Sequence, residues 1–179
     1  MEAPRYIPHY TTADYERWEG DWELWLGIPV SMSPSPSFRH QLIAANLLTA
    51  LKASIDADEG CRCRIVAECD WRVSLDTVVR PDVAVCCPEP SGDFITSPPK
   101  LIAEILSEAT AEKDRDAKRR LYEQQGVRTY LMLDPRAESF EALTLAGDRY
   151  KSLEHDGQAA GVPIDDGCRV TLQIPGLWI

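Results

Sequence analysis

The sequence predicts an α/β protein of the mixed α+β kind, a mixed β-sheet flanked by helices, in a single domain over residues 1–179. Three observations predict it. Apolar residues recur at helical spacing between Phe38 and Asp58, with Ala44, Leu47, Leu48, Leu51 and Ile55 on one stripe. Short β-branched, apolar runs follow at Cys63–Cys69, Trp71–Leu75, Val78–Cys87 and Leu101–Leu106. A second helical stretch, Ala111–Gln125, then leads into a further apolar run, Thr129–Leu133. Helix, strands, helix, strand is the order expected of helices packed on a mixed sheet.

Taken in order, Thr11 to Trp18 reads as a short capped helix closed at Gly20. Asp21 to Met32 alternates large apolar and polar residues about Gly27, the pattern of a β-hairpin. Ser33-Pro34-Ser35-Pro36-Ser37 is a loop by composition, and Ser35 or Ser37 can cap the helix that follows. The four strands come next, with Pro88 to Pro99 as a Pro/Ser/Gly connection before the last of them. Ser107 or Thr110 can cap the second helix, and Gly126 stands at its C′ position. Asp134-Pro135 closes the next strand. Glu141–Leu145, Tyr150–Leu153 and Val170–Ile174 suggest a meander joined by glycine-containing turns.

Composition excludes some functions. No apolar run approaches the roughly 20 residues that cross a bilayer, so no membrane role is expected. Met1 to Arg5 lacks the basic-then-apolar layout of a secretory leader, which makes a cytoplasmic location the expectation. Six cysteines without paired CxxC knuckles argue against a zinc site; reduced, structural thiols are expected. The net charge of −10 argues against binding nucleic acid through bulk charge. It leaves room for an acidic site that recruits a divalent cation. Lys113, Arg115, Lys118, Arg119 and Arg120 form the one local run of positive charge that can meet phosphate.

Two carboxylates interrupt apolar strands. Asp82 lies within Val78–Cys87 and Glu104 within Leu101–Leu106. A lone buried carboxylate is costly unless it is paired or holds a metal, and two on consecutive strands can share one cation. In the helix that follows, Asp114, Lys118, Leu121 and Gln125 share a face, so Lys118 can bring its ammonium to the two acids. Hard oxygen donors suit Mg²⁺ or Mn²⁺, and a cation with a lysine beside it suits hydrolysis of a phosphodiester.

Plainer readings exist for each residue. Asp82 after Pro81 can be a strand-entry residue, and Glu104 can form a buried ion pair with Arg80 or Lys118. Asp114 and Lys118 can be a surface i,i+4 pair. His40 falls on the inward face of its helix, where histidines are commonly satisfied core residues. Glu23 can be the polar side of a hairpin.

Several strings nevertheless occur in one order. They are Arg80-Pro81-Asp82-Val83-Ala84-Val85; Pro99-Lys100-Leu101-Ile102-Ala103-Glu104-Ile105-Leu106-Ser107; Asp114-Arg115-Asp116-Ala117-Lys118-Arg119-Arg120-Leu121-Tyr122; and Gly126 to Pro135. With Trp22-Glu23-Leu24, Met32-Ser33-Pro34 and His40 upstream, the set resembles the Uma-type family of restriction-endonuclease-like proteins in the PD-(D/E)XK nuclease superfamily. The resemblance covers about residues 15–135. It implies a restriction-endonuclease-like core and a metal held by Asp82, Glu104 and the Ile105 carbonyl, with Glu23 and His40 lining the same cleft. The superfamily's lysine two residues after the second acid is Leu106 here; the Uma-type pattern places it in the next helix, at Lys118. Leu131 stands where the family usually shows tryptophan.

The expected function is therefore a Mg²⁺- or Mn²⁺-dependent endonuclease acting on DNA as a homodimer. Asp82 and Glu104 would bind the cation, and Lys118 would steady phosphate or water. The alternative is a non-catalytic module of nuclease fold that binds a protein or nucleic-acid partner. A third reading is a structural ion-pair network of Arg80, Asp82, Glu104 and Lys118.

Overall fold

The structure is a computed structural model that describes residues 7–32 and 35–179. The leader expectation at Met1–Arg5 and the Ser33-Pro34 part of the loop lie outside the described residues. The elements are α1 (Thr12–Tyr15), β1 (Trp22–Trp25), β2 (Ile28–Ser31), α2 (Phe38–Asp56), β3 (Arg64–Ala67), β4 (Trp71–Ser74), β5 (Thr77–Val79), β6 (Val83–Cys86) and β7 (Leu101–Ile105). They continue with α3 (Ala111–Lys113), a π-helical turn (Asp114–Lys118), α4 (Arg119–Gln124), β8 (Thr129–Asp134), β9 (Ser139–Ala146), β10 (Arg149–Ser152), β11 (Ala159–Asp165) and β12 (Cys168–Gln173). A 3₁₀ turn, Ile174–Leu177, follows them.

The central sheet has the order β10-β9-β8-β7-β6-β3, with β7 and β8 parallel and the other neighbours antiparallel. Successive side chains of a strand point to opposite faces, so each face collects alternate residues. Val83, Val85, Leu101, Ala103 and Ile105 pack with Ile43, Leu47, Leu51 and Ile55 of α2. The β11–β12 hairpin adds Val162, Ile164, Val170 and Leu172 to that core. Ala84, Cys86, Ile102 and Leu106 face the other way, with Trp71, Tyr122 and Tyr130. Glu104 follows the parity of Ile102 and Leu106 and therefore faces the second layer. Ser37 begins α2 by accepting a hydrogen bond from the His40 amide at 3.2 Å.

Three expectations change. The run Val78–Cys87 is not one strand. β5 belongs to a smaller sheet of order β2-β1-β5-β4, while β6 enters the central sheet. Pro81 explains the break, because it has no N–H to give a ladder and the chain changes sheets there. The second helix contains the π turn at Asp114–Lys118 rather than running as uniform α-helix. In a straight α-helix, residues spaced by four drift about 40° around the axis per step. The wider π turn offsets that drift, so Asp114, Lys118 and Tyr122 all become buried while Leu121 is only half-buried.

The third change concerns the cysteines. Cys61 is bonded to Cys168 and Cys63 to Cys87, with Cα atoms 4.9 and 4.5 Å apart. Cys69 and Cys86 are free. The spacing of Cys61 and Cys63 suggested no framework because their partners lie 107 and 24 residues away. Only the return of β12 and the end of β6 to this corner brings them together. Cystines persist chiefly in oxidising surroundings, and the expectation of reduced thiols fails at these four cysteines. Among the described residues no helix is long and apolar enough to cross a membrane.

Candidate functional site

The site forms where β6 begins and β7 ends. Extending the register Val83↔Ala103 by one residue sets Asp82 across from Glu104. Asp82 directly precedes β6, where its backbone carbonyl accepts the Glu68 amide at 3.1 Å. Its Oδ2 accepts the Ile105 amide at 2.7 Å and lies 3.3 Å from Nε2 of His40. The N–H and C=O of one strand residue point to the same edge. The Ile105 carbonyl thus shares the Asp82 edge of β7, where it favours the charged form of His40. Burial opposes that charge, but the bond to Asp82 and the charges of Asp82 and Glu68 outweigh it and raise the His40 pKa. Nδ1 of His40 is buried without a hydrogen-bond partner.

A second set of side chains surrounds Lys118. Its Nζ is 2.9 Å from Oε1 of Glu104, 3.5 Å from Glu23 and 3.5 Å from Asp114. The Tyr122 hydroxyl donates to the same Glu104 oxygen at 2.7 Å. Glu23 is fully buried. It accepts from Trp25 at 3.0 Å, from the Arg80 amide at 3.0 Å and from Lys113 at 2.7 Å. Tyr130 fixes the π turn by donating to the Asp114 carbonyl at 3.0 Å.

The electrostatics follow from burial. Burial pushes Glu104 well above the ordinary carboxylate range; Asp114 and Asp82 add to the effect, while Lys118 and Tyr122 oppose it. Burial also raises Asp114. Burial works against the Lys118 ammonium, yet Glu104, Glu23 and Asp114 together keep it protonated well beyond its usual range. For Glu23 burial is outweighed by Lys118, Lys113 and Trp25, which hold its carboxyl at about 2. Because Glu23 stays ionised, the ammonium keeps a counter-charge whichever state Glu104 takes.

The sequence-predicted residues thus fall into two touching groups. Glu23, Glu104 and Lys118 are in direct contact; Asp82, His40 and the Ile105 backbone form the other. The groups meet at the Glu104–Ile105 peptide, and Asp82 raises both Glu104 and Lys118 through its charge. Glu23 is not the exposed side of a hairpin, and Asp114 with Lys118 is not a surface pair. The Arg80 guanidinium does not join them: it binds Asp70 and Asp21, each at 2.7 Å, which removes it from the ion-pair network drawn from sequence. The basic run is largely spent as well, since Arg115 pairs with Glu141 and Arg120 with Asp116. Lys113 and Tyr122 were not foreseen as site residues. The repeat of four from Asp114 to Lys118 to Tyr122 was the available signal, hidden by assuming a straight helix.

A family model described as "Putative restriction endonuclease", Uma2, matches residues 12–175. The chain belongs to the Uma2 family. A solved structure described as "a putative nuclease belonging to DUF820" from Anabaena variabilis is similar at TM-score 0.73. It is 15% identical, with 94% of this chain and 97% of that chain covered, so it bears on the fold alone. No curated protein matches. The likeness agrees with a restriction-endonuclease-like core built on the mixed six-stranded sheet.

The donor set fits a hard divalent cation. By register Asp82 stands opposite Glu104, and the Ile105 carbonyl lies on the Asp82 edge of β7, so the donor types are hard oxygens. Among the described residues no three His, Cys, Asp or Glu side chains are grouped to hold an ion alone. An ion taking two carboxylates, one carbonyl and several waters is the habit of Mg²⁺ rather than of zinc.

Proposed function

We propose that this Uma2 protein is a Mg²⁺- or Mn²⁺-dependent endonuclease that hydrolyses DNA phosphodiester bonds. One observation supports it above the others. Asp82 stands one register step across from Glu104 at the end of paired strands, and the Lys118 ammonium is 2.9 Å from Glu104. Asp82, Glu104 and the Ile105 carbonyl would hold the cation, which supplies a Lewis acid for the phosphoryl oxygen. The Ile105 amide and His40 hold the Asp82 carboxylate in place. Tyr122 orients Glu104. Lys118 carries the fixed positive charge that can meet phosphate as negative charge develops, and Glu23 with Lys113 keeps the ammonium charged and placed. Leu106 has an apolar side chain packed in the second core and supplies no charge. Cutting both strands of a duplex takes two such sites, which supports a homodimer as the working form.

The test is cleavage of plasmid and linear DNA with and without Mg²⁺. Asp82→Ala and Glu104→Ala should each abolish cation-dependent cleavage while thermal unfolding stays cooperative. Full cleavage by either variant would remove the proposal. A non-catalytic nuclease-fold module is the second reading, favoured by the saturation of Lys118 with three carboxylates. It predicts no hydrolysis of any nucleic acid and no thermal stabilisation by Mg²⁺ or Mn²⁺.

A further inference from the structure

Beside the Asp82 end of the site lies a groove of about 540 Å³ that none of the chemistry above uses. Its lining includes Val66, Glu68, Asp70, Arg80, Asp93 and Phe94. It is a shallow, open hollow on the surface rather than an enclosed cavity. The groove adjoins the site directly, because the Glu68 amide donates to the Asp82 carbonyl at 3.1 Å. Glu68 holds that position with φ of +49°, a left-handed conformation unusual for a glutamate.

Phe94 gives the groove its character. Phe94 is 37% exposed although its neighbour Ile95 is buried. Two backbone bonds pin the segment: the Arg72 amide to the Ile95 carbonyl at 2.8 Å, and the Ile95 amide to the Asp70 carbonyl at 3.0 Å. The Arg72 guanidinium lies 3.6 Å from the ring centroid and backs it. Arg72 is itself held by Glu16 at 2.7 Å. An aromatic ring is thus fixed at the groove with a cation behind it and little ordering left to do on stacking.

The charges decide what can stack there. Arg80 is engaged by Asp70 and Asp21, and Arg72 by Glu16. With these cations paired, the groove is a poor place for phosphate. Glu68, one of whose oxygens already accepts from the Gln41 side-chain amide at 2.9 Å, and Asp93 instead offer acceptor oxygens, which suit a planar ring carrying an amino group, as carboxylates accept from cytosine N4.

We propose that this groove holds one unstacked, amino-bearing nucleobase of a single DNA strand, on the ring of Phe94, next to the phosphate at the Asp82–Glu104 site. The inference rests on the nuclease reading for its location but not for its test.

Binding of short single strands is measured by fluorescence anisotropy in chelator, so that neither cation nor turnover enters. Strands carry cytosine, thymine or an abasic residue at one position. Phe94→Ala should weaken the cytosine strand by about 5- to 150-fold, the range for losing one base–aromatic stack. It should leave the abasic strand unchanged, and Phe94→Trp should restore the cytosine strand. Wild-type protein should bind cytosine more tightly than thymine. Equal loss by Phe94→Ala on cytosine and abasic strands, no preference over thymine, or no strand binding by wild type would each overturn the proposal. A protein that binds this way yet never cleaves DNA would defeat the nuclease reading and spare the groove. Abolished cleavage in Asp82→Ala with no Phe94 effect would do the reverse.

Discussion

Replacing Lys118 by methionine keeps the length of the side chain and removes its charge. The ammonium touches Glu104 at 2.9 Å and Glu23 and Asp114 at 3.5 Å, and its side chain is 5% exposed. Glu23 retains Lys113 at 2.7 Å, so the carboxylates left without a cation are Glu104 and Asp114. Removing one partner of a buried ion pair costs about 3–5 kcal/mol. Glu104 keeps its Tyr122 bond and can take up a proton, which points to the lower end, about 3 kcal/mol near pH 8. In a chain of this length each kcal/mol moves Tm by about 2–4 °C, so a fall of about 6–12 °C is expected. The pH dependence has a definite sign. The folded pKa values of Glu104 and Asp114 are raised above their ordinary 4.5 and 3.8. Groups of this kind bind protons more readily when folded; their contribution is present in full below the unfolded pKa and lost as pH rises through the folded one. Without the ammonium those pKa values rise further, so the penalty in Lys118→Met should shrink as pH falls from 8 toward 5. Thermal unfolding of both proteins across that range measures it. A Tm loss under about 2 °C at pH 8, or a penalty that grows on acidification, would refute the assignment of Lys118 as the charge on which these acids depend.

Two further outcomes are expected. Glu23→Gln should reduce stability at neutral pH and weaken acid sensitivity: the Glu23 pKa is lowered from 4.5 to about 2, so its contribution is present above 4.5 and lost as pH falls through about 2. Urea unfolding from pH 6 to pH 2 reads this, and a wild-type-like acid limb in the variant would contradict it. Reductant should lower Tm, with each lost cystine costing about 2–4 kcal/mol. Cys61→Ser/Cys168→Ser should cost more than Cys63→Ser/Cys87→Ser, because it opens the loop with the larger separation, 107 against 24 residues; identical melting with and without reductant would show that the bonds do not form.

Much of the fold was legible because apolar periodicity is a local signal. The α2 stripe, the hairpin about Gly27 and the apolar, β-branched runs that contain β6 and β7 were legible in this way. β11 was missed, since Ala159–Asp165 contains Gly161 and Pro163 and carries little β-branched character. The strand break at Pro81 was visible as a proline, but its consequence, a change of sheet, depends on which partner each half finds.

For the site, the sequence by itself determined that two acids interrupt apolar strands and that a lysine follows in the next helix. A carboxylate among valines and isoleucines is conspicuous, because its burial is costly without a partner. Tertiary structure alone decided who the partners are. It buried Glu23 against Lys113 and Lys118, turned Tyr122 inward through the π turn, removed Arg80 to Asp70 and Asp21, and joined cysteines far apart in the chain. Ion pairs, bulges and disulfides depend on distances between segments remote in sequence, and those distances exist only once the sheets have formed.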